Sequence, residues 1–184
     1  MRRIVFVTGN KDKVEEAKKI LQHPLDIAEI DLDEIQSLDI YKIVEKKAQA
    51  AFGKLKQPLI VEDVGVYLDA WNGFPGPLVK FLHEAGNGGY ELLLKMLGSE
   101  KNKKVHVKAV IGFHDGKKVH IIEGSFDGKV VEKKGERGWG FDPYIVPEGY
   151  DETFGELPEE IKNSISHRAK ALKNLKEFLD SKKA

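Results

Sequence analysis

"RRIVFVTGNKDKVEEAKKILQ", residues 2–22, changes its period in the middle. Up to Val7 it is a continuous apolar run, the pattern of a strand buried on both faces. After Thr8 and Gly9 the apolar residues recur by threes and fours, at Val14, Ala17, Ile20 and Leu21, which is one face of an amphipathic helix. Asn10 stands where an N-cap accepts from the amides of the first turn. A strand, a tight turn and a helix N-terminus together make an anion site, because free N–H groups and the positive end of the helix dipole point at one spot. Lys13 adds a point charge there. The stretch has no G-x-x-x-x-G-K-[ST] pattern, and taken alone it also reads as a capped helix with a surface lysine.

Moving outward, Pro24 closes that helix and "LDIAEIDL" (25–32) predicts a second strand. A longer helix is predicted over Ile40 to Leu55. "PLIVED" (58–63) reads as a short buried strand, with "GVYLDA" (65–70) as its partner across a turn. "LVKFLHEAG" (78–86), with Gly86 as C-cap, and "YELLLKML" (90–97) predict two further helices. From Lys104 the period falls to two. Residues 104–131 hold two or three strands, with Asp115-Gly116 and Asp127-Gly128 as turn signals. A glycine-rich loop over Gly135–Pro143, an irregular stretch and a helix capped by Ser166 complete the chain. The order β-α-β-α-β, then strands, then helix, predicts one α/β domain over residues 1–184, a mixed sheet flanked by helices.

Among 184 residues, 30 basic and 30 acidic side chains cancel, without the basic excess of a dedicated nucleic-acid binder. There is no cysteine, hence no disulfide framework and no thiolate metal site. No signal pattern opens the chain, and no run approaches the ~18 apolar residues of a membrane span. A cytoplasmic protein with no nucleic-acid or membrane partner is the expectation.

Three further segments carry chemistry. Glu62 and Asp63 end a buried strand, the edge at which open α/β sheets bind ligands. Glu34, in "IDLDE" (30–34), ends the preceding one. Carboxylates gathered there could hold Mg²⁺, which takes one or two of them together with substrate phosphates; they also read as solvated strand ends. "GERGWGFDPY" (135–144) sets Trp139 and Phe141 among glycines. There they could form a slot for a base, since stacking contributes ~1–3 kcal/mol per base, or simply fill the core. In "EIKNSISHRAKAL" (160–172) a helix opens with His167 and Arg168, and Lys162 lies just upstream. That places positive charge at the positive end of the dipole, a conflict that an electron-rich ligand would resolve.

In this order, "TGNKDKVEE", "IDLDE", "VEDVGVYLDAWNGFPGP", "GWGFDP" and "EIKNSISHRAKAL" resemble the inosine/xanthosine triphosphate pyrophosphatases from end to end. The resemblance implies two lobes with a nucleotide cleft between them, a homodimer, a Mg²⁺ requirement and hydrolysis of ITP, dITP or XTP to the monophosphate and pyrophosphate. It places Thr8, Gly9, Asn10, Lys11, Asp12 and Lys13 at the triphosphate, with Lys47 and Lys80 as further nucleotide contacts. Glu34, Glu62 and Asp63 are placed at the metal, with Asp63 activating the attacking water. Trp139, Gly140, Phe141, Asp142, Lys162, His167 and Arg168 are placed around the base. Val64 occupies a substrate-binding position where relatives often carry Ser or Thr, so a hydroxyl contact is lost. Two other readings are a Maf-like pyrophosphatase of modified pyrimidine nucleotides and a non-catalytic nucleotide-binding module. The aromatic loop with the Ser166-His167-Arg168 block argues against the first, and the carboxylate cluster against the second.

Overall fold

The computed structural model describes residues 3–86 and 90–182. Strand β1 (Ile4–Val7) and helix α1 (Lys11–Leu21) lie where the change of period placed them; Arg2, read with that strand, lies outside the described residues. The Asn10 side chain caps the helix, accepting from the Lys13 amide at 3.0 Å. Then follow β2 (Leu25–Ala28), α2 (Ile40–Leu55), β3 (Leu59–Leu68), β4 (Pro75–Gly76), α3 (Val79–Ala85), α4 (Glu91–Leu97), β5 (Lys104–His114), β6 (Val119–Val130), β7 (Ile145–Pro147), α5 (Glu159–Ile165) and α6 (His167–Ser181). Among the described residues no helix is long and apolar enough to cross a membrane.

The strands form one open seven-stranded sheet in the order β2-β1-β3-β5-β6-β7, with β4 also beside β3. β1 runs parallel to β2 and β3, and the other pairings are antiparallel. Ile4, Phe6 and Ile60 pack on α1 and α6 through Val14, Ala17, Leu21, Leu172 and Leu175. On the opposite face Val5, Val7, Leu59 and Val61 pack on α2 through Val44, Ala48 and Ala51. A third cluster joins Val66, Leu68, Val105 and Val107 to Leu93, Leu97, Phe126 and Phe154. The expected two lobes are therefore the two ends of a single sheet.

β3 connects them, and its neighbours decide where the cleft opens. β1 pairs with Leu59 and Ile60, and β4 pairs with Val66 and Tyr67. Between those contacts Glu62, Asp63 and Val64 are paired with β5 on one side only. A gap in the sheet edge, at the point where parallel pairing gives way to antiparallel, is where ligands bind in open α/β sheets.

Four local expectations are corrected. The second strand stops at Ala28 rather than Leu32, which frees residues 29–34 to form a wall of the cleft. The residues read as two strands across a turn are one ten-residue strand, because the ladder with β5 runs unbroken from Leu59↔His114 to Leu68↔Val105. Asp115-Gly116 is a turn, with Asp115 Oδ1 accepting from the amides of Lys117 and Lys118. Asp127-Gly128 is not; both pair with β5, and a Cβ on Gly128 would lie 2.5 Å from the Val146 carbonyl oxygen. That glycine serves the close approach of β7. Finally, α5 precedes the last helix; it starts after Pro158 with Glu159 and Glu160 in its first turn, a favourable charge for a helix start.

α6 lies unusually close to β6. A Cβ on Gly124 would stand 2.3 Å from the Ala171 nitrogen and 2.4 Å from the His167 carbonyl oxygen. Gly124→Ala is expected to push the helix off the sheet at a cost of about 1–3 kcal/mol, read as a fall of several degrees in Tm. An unchanged Tm would show that the helix does not sit on that glycine.

Candidate active site

Successive residues of a strand point to opposite faces of its sheet, and this separates the two adjacent carboxylates. Glu62 follows Ile60 to the α1/α6 face and Asp63 follows Val61 to the α2 face. Glu62 is 3% exposed. Arg168 Nε donates to both its oxygens at 3.0 Å, Arg168 Nη2 lies 2.9 Å from Oε1, and Lys13 Nζ is 3.5 Å away. Asp63 Oδ2 instead meets Lys47 Nζ at 3.1 Å. The same ammonium sits 2.5 Å from Glu34 Oε1, and Lys80 Nζ donates to Glu34 Oε2 at 2.9 Å. Glu34 and Asp63 thus converge on one cation, and Glu62 is not part of that pair.

Burial by itself would raise the Glu62 carboxyl, but Arg168 and then Lys13 outweigh it and hold it down at about 2. Glu34 is likewise held at about 2, against its burial, by Lys47 and Lys80. Lys13 goes the other way. Its burial lowers the ammonium pKa, and repulsion from Arg168 and Lys47 adds to this against the pull of Glu62 and Asp63. A buried ammonium with too little negative charge around it is stabilised by an incoming anion.

The other wall is built at the break between α5 and α6. Ser166 donates its amide to the Lys162 carbonyl at 3.0 Å, ending α5, and accepts from the Ala169 amide at 3.2 Å, opening α6. The kink sends Lys162 and Arg168 to one carboxylate, Glu16 on α1. Lys162 Nζ and Arg168 Nη1 donate to it at 2.8 Å each, and Trp139 Nε1 at 3.1 Å. Asp142 Oδ2 accepts from Lys162 Nζ at 2.6 Å and from the Trp139 amide at 2.8 Å. The Arg168 guanidinium lies 4.8 Å over the Trp139 ring, a cation–π contact. Burial would raise Glu16, yet Arg168 and Lys162 bring it below its ordinary value. Glu16 is the one member of this network that the sequence reading missed. Its signal was a carboxylate beside Ala17 on the inward side of an amphipathic helix.

His167 is 3% exposed, packed near Phe126 and Phe141 with ring centroids 5.7 and 5.4 Å away. Neither ring nitrogen has a hydrogen-bond partner among the described residues. Burial first, then Arg168, lowers its pKa well below 6.5. The ring is therefore neutral near pH 7, with one donor and one acceptor unused. Leaving such atoms buried and unpaired is costly, and this points to a ligand that supplies the partners.

These groups set the acid stability. A base whose folded pKa lies below its unfolded value weakens the fold once the unfolded chain takes up the proton first. For His167 that begins as pH falls below about 6.5. Glu62, folded at about 2 against 4.5 unfolded, contributes stability above pH 4.5 that is lost as pH falls toward 2. The Tm is expected to decline from about pH 6.5 and more steeply below about pH 4.5. A Tm constant from pH 7 to 4.5 would contradict this account of His167, and one constant from pH 4.5 to about 2 that of Glu62.

The side chains surround a cleft of about 510 Å³, lined by Asn10, Asp12, Val64, Trp139, Gly140, Phe141, Asp142, His167 and Arg168 among others. A second hollow of about 510 Å³, lined by Thr8, Gly9, Glu62 and residues 30–34, adjoins it, and Lys13, Glu34, Lys47 and Lys80 line both. Two expected contacts lie elsewhere. Lys11 lines neither hollow, and Lys162 faces a third one behind Trp139, where it braces Glu16 and Asp142. The cations Lys13, Lys47, Lys80, Lys162 and Arg168 are matched by Glu16, Glu34, Glu62, Asp63 and Asp142. A polyanion entering so balanced a site would bring charge that a further cation could offset. Glu34 and Asp63 fit a divalent one: both offer oxygen, and they already converge on the Lys47 ammonium. Among the described residues no three acidic or histidine side chains gather to hold a metal by themselves. Substrate oxygens would have to complete its shell, as is usual for Mg²⁺.

Paired charges at a gap in a mixed sheet, beside an aromatic wall with unpaired imidazole nitrogens, define an α/β protein whose cleft takes an anion carrying a flat polar ring. The chain belongs to the Ham1 family, whose model matches residues 4–178. It is similar to the dITP/XTP pyrophosphatase of Thermococcus kodakarensis, 39% identical over 182 residues that span 96% of this chain and 97% of that one. It is also similar to the inosine triphosphate pyrophosphatase of Schizosaccharomyces pombe, 37% identical over 188 residues, 100% and 98% of the two chains. Among solved structures, the Ham1 protein of Staphylococcus aureus matches with a TM-score of 0.84 at 27% identity, over 98% of this chain and all of that one. The family read from the five sequence blocks is the one the chain belongs to.

Proposed function

We propose that this chain hydrolyses deaminated purine nucleoside triphosphates, ITP, dITP and XTP, to the monophosphate and pyrophosphate. One observation carries the reading: two hollows of equal size meet at Lys13, Glu34, Lys47 and Lys80, with Asp63 lining the aromatic one beside that seam. The aromatic hollow suits the nucleoside. The hollow over the Thr8–Gly9 turn suits the outer phosphates, whose charge it meets with backbone amides and lysines. The phosphorus next to the sugar then lies at the seam, so attack there releases pyrophosphate rather than orthophosphate.

Asp63 takes the proton of the attacking water as its oxygen bonds to that phosphorus and the bridging oxygen leaves with pyrophosphate. Lys13, Lys47 and Lys80 offset the charge that builds on the leaving group. A magnesium ion held by Glu34 and Asp63 would supply Lewis-acid polarisation of the phosphoryl oxygens. At the base, Arg168 and His167 offer N–H donors to a C6 carbonyl, an acceptor in inosine and xanthosine; adenine presents a donor there. The proposal extends to a homodimer and a cytoplasmic setting, as the family resemblance implies.

The names of the two relatives support the substrate class. The test is phosphorus NMR of the products from ITP, XTP and ATP with and without Mg²⁺. IMP and pyrophosphate, formed only with Mg²⁺ and much faster than from ATP, are expected. Orthophosphate as the direct product would overturn the position of attack, and release from none of the nucleotides would leave a binding module.

A further inference from the structure

Between Lys80 at the phosphate end and Phe141 at the ring end, the cleft has a third wall: Val79 and His83 on α3 and Tyr90 at the start of α4. Tyr90 is 8% exposed. Its ring is fixed by His83 at 5.2 Å, by Phe141 edge-on at 5.8 Å and by Tyr144 at 6.0 Å between centroids. A Cβ on Gly140 would stand 4.0 Å from Tyr90 Cε2. The Cε2 edge of the ring therefore faces the loop that carries Trp139 and Phe141.

That hydroxyl has no hydrogen-bond partner among the described residues. Two other tyrosines do have one, since Tyr144 donates to Glu91 and Tyr41 to Glu123. The ring is buried, but the hydroxyl oxygen is not among the buried unpaired atoms, so it opens to the cleft that Tyr90 lines and is free to bond to a ligand there. Burial, together with the charge of Asp142, raises the Tyr90 pKa, so the group keeps its proton and can both donate and accept.

We propose that Tyr90 reads the sugar, its phenol hydrogen-bonding to a ribose hydroxyl of the bound nucleotide; this rests on the nucleotide reading above. The sugar is the part that joins ring to phosphate, and Tyr90 lies on the wall between those two ends. Val79 offers an apolar surface to the sugar's C–H face. A phenol matches a sugar hydroxyl because each is donor and acceptor at once.

The test is Tyr90→Phe assayed on ITP and on 2′,3′-dideoxy-ITP. The KM for ITP is expected to rise about 3- to 10-fold, the worth of one neutral hydrogen bond. The kcat should stay near its wild-type value, and KM for the dideoxy nucleotide should not change. The Tm should stay within about two degrees, since no hydrogen bond within the protein is lost. An equal change on both nucleotides, no change on either, or a large fall in Tm would overturn the assignment. Failure of the wild-type protein to hydrolyse ITP would overturn the proposed function instead, a different result from any of these.

Discussion

Asp63→Asn is expected to lower kcat for ITP by ~10²–10⁴ with little change in Tm. The substitution keeps shape and volume but removes the base proposed for the attacking water and weakens one of the two carboxylates that would hold Mg²⁺. The fold should tolerate it for a specific reason. Lys47, which faces Asp63 at 3.1 Å, keeps Glu34 at 2.5 Å, so no buried ammonium is left alone. Steady-state rates at saturating ITP across a Mg²⁺ titration, with a melting curve beside them, check both halves. Turnover near wild type with the same Mg²⁺ dependence would remove Asp63 from the chemistry.

Arg168→Ala is expected to lower stability as well as selectivity. The guanidinium neutralises Glu62, 3% exposed, and Glu16, 9% exposed. Its loss leaves Glu62 with Lys13 at 3.5 Å and Glu16 with Lys162 at 2.8 Å. Breaking a buried ion pair from one side costs about 3–5 kcal/mol, a Tm fall on the order of 10 °C in a chain of this size. Selectivity rests on the donors that remain. Of five N–H groups, Nε and one each on Nη1 and Nη2 face the two carboxylates, which leaves two for a C6 carbonyl. Arg168→Lys keeps the charge but loses the planar fork, so it separates the two roles. Its kcat/KM should fall far more on ITP than on ATP. An equal fall on both nucleotides would mean that C6 is read by another group, and an unchanged Tm for Arg168→Ala would mean that the buried carboxylates do not need the guanidinium.

Much of this site was legible because its signals are local. The Asn10 and Ser166 caps, the stripe on α1 and the span of α2 follow from spacings within a few residues, which the backbone reads directly. The misreadings share one cause. Gly65 inside β3 and Asp127-Gly128 inside β6 carry turn chemistry, but a long ladder with β5 holds both extended, and tertiary pairing outweighs local preference. The family resemblance, not any local spacing, places Lys162 at the base. Its position in the structure, behind Trp139 and bonded to Glu16 and Asp142, follows from the break at Ser166.

The sequence by itself determined the family, the opening β-α-β-α-β order and most of the charged side chains that meet in the cleft, but not the Val79, His83 and Tyr90 wall. Only the tertiary structure decided their partners. Strand parity dictates that Glu62 and Asp63 point apart, but not which helices cover each face. With α1 and α6 packed on one face and α2 on the other, Glu62 becomes the counter-ion of Arg168, 106 residues away, and Asp63 joins Glu34 at Lys47. Glu16 meets Arg168 across 152 residues. Separations of that length leave no periodic trace, because they are closed by helices docking on a sheet rather than by the geometry of neighbouring residues.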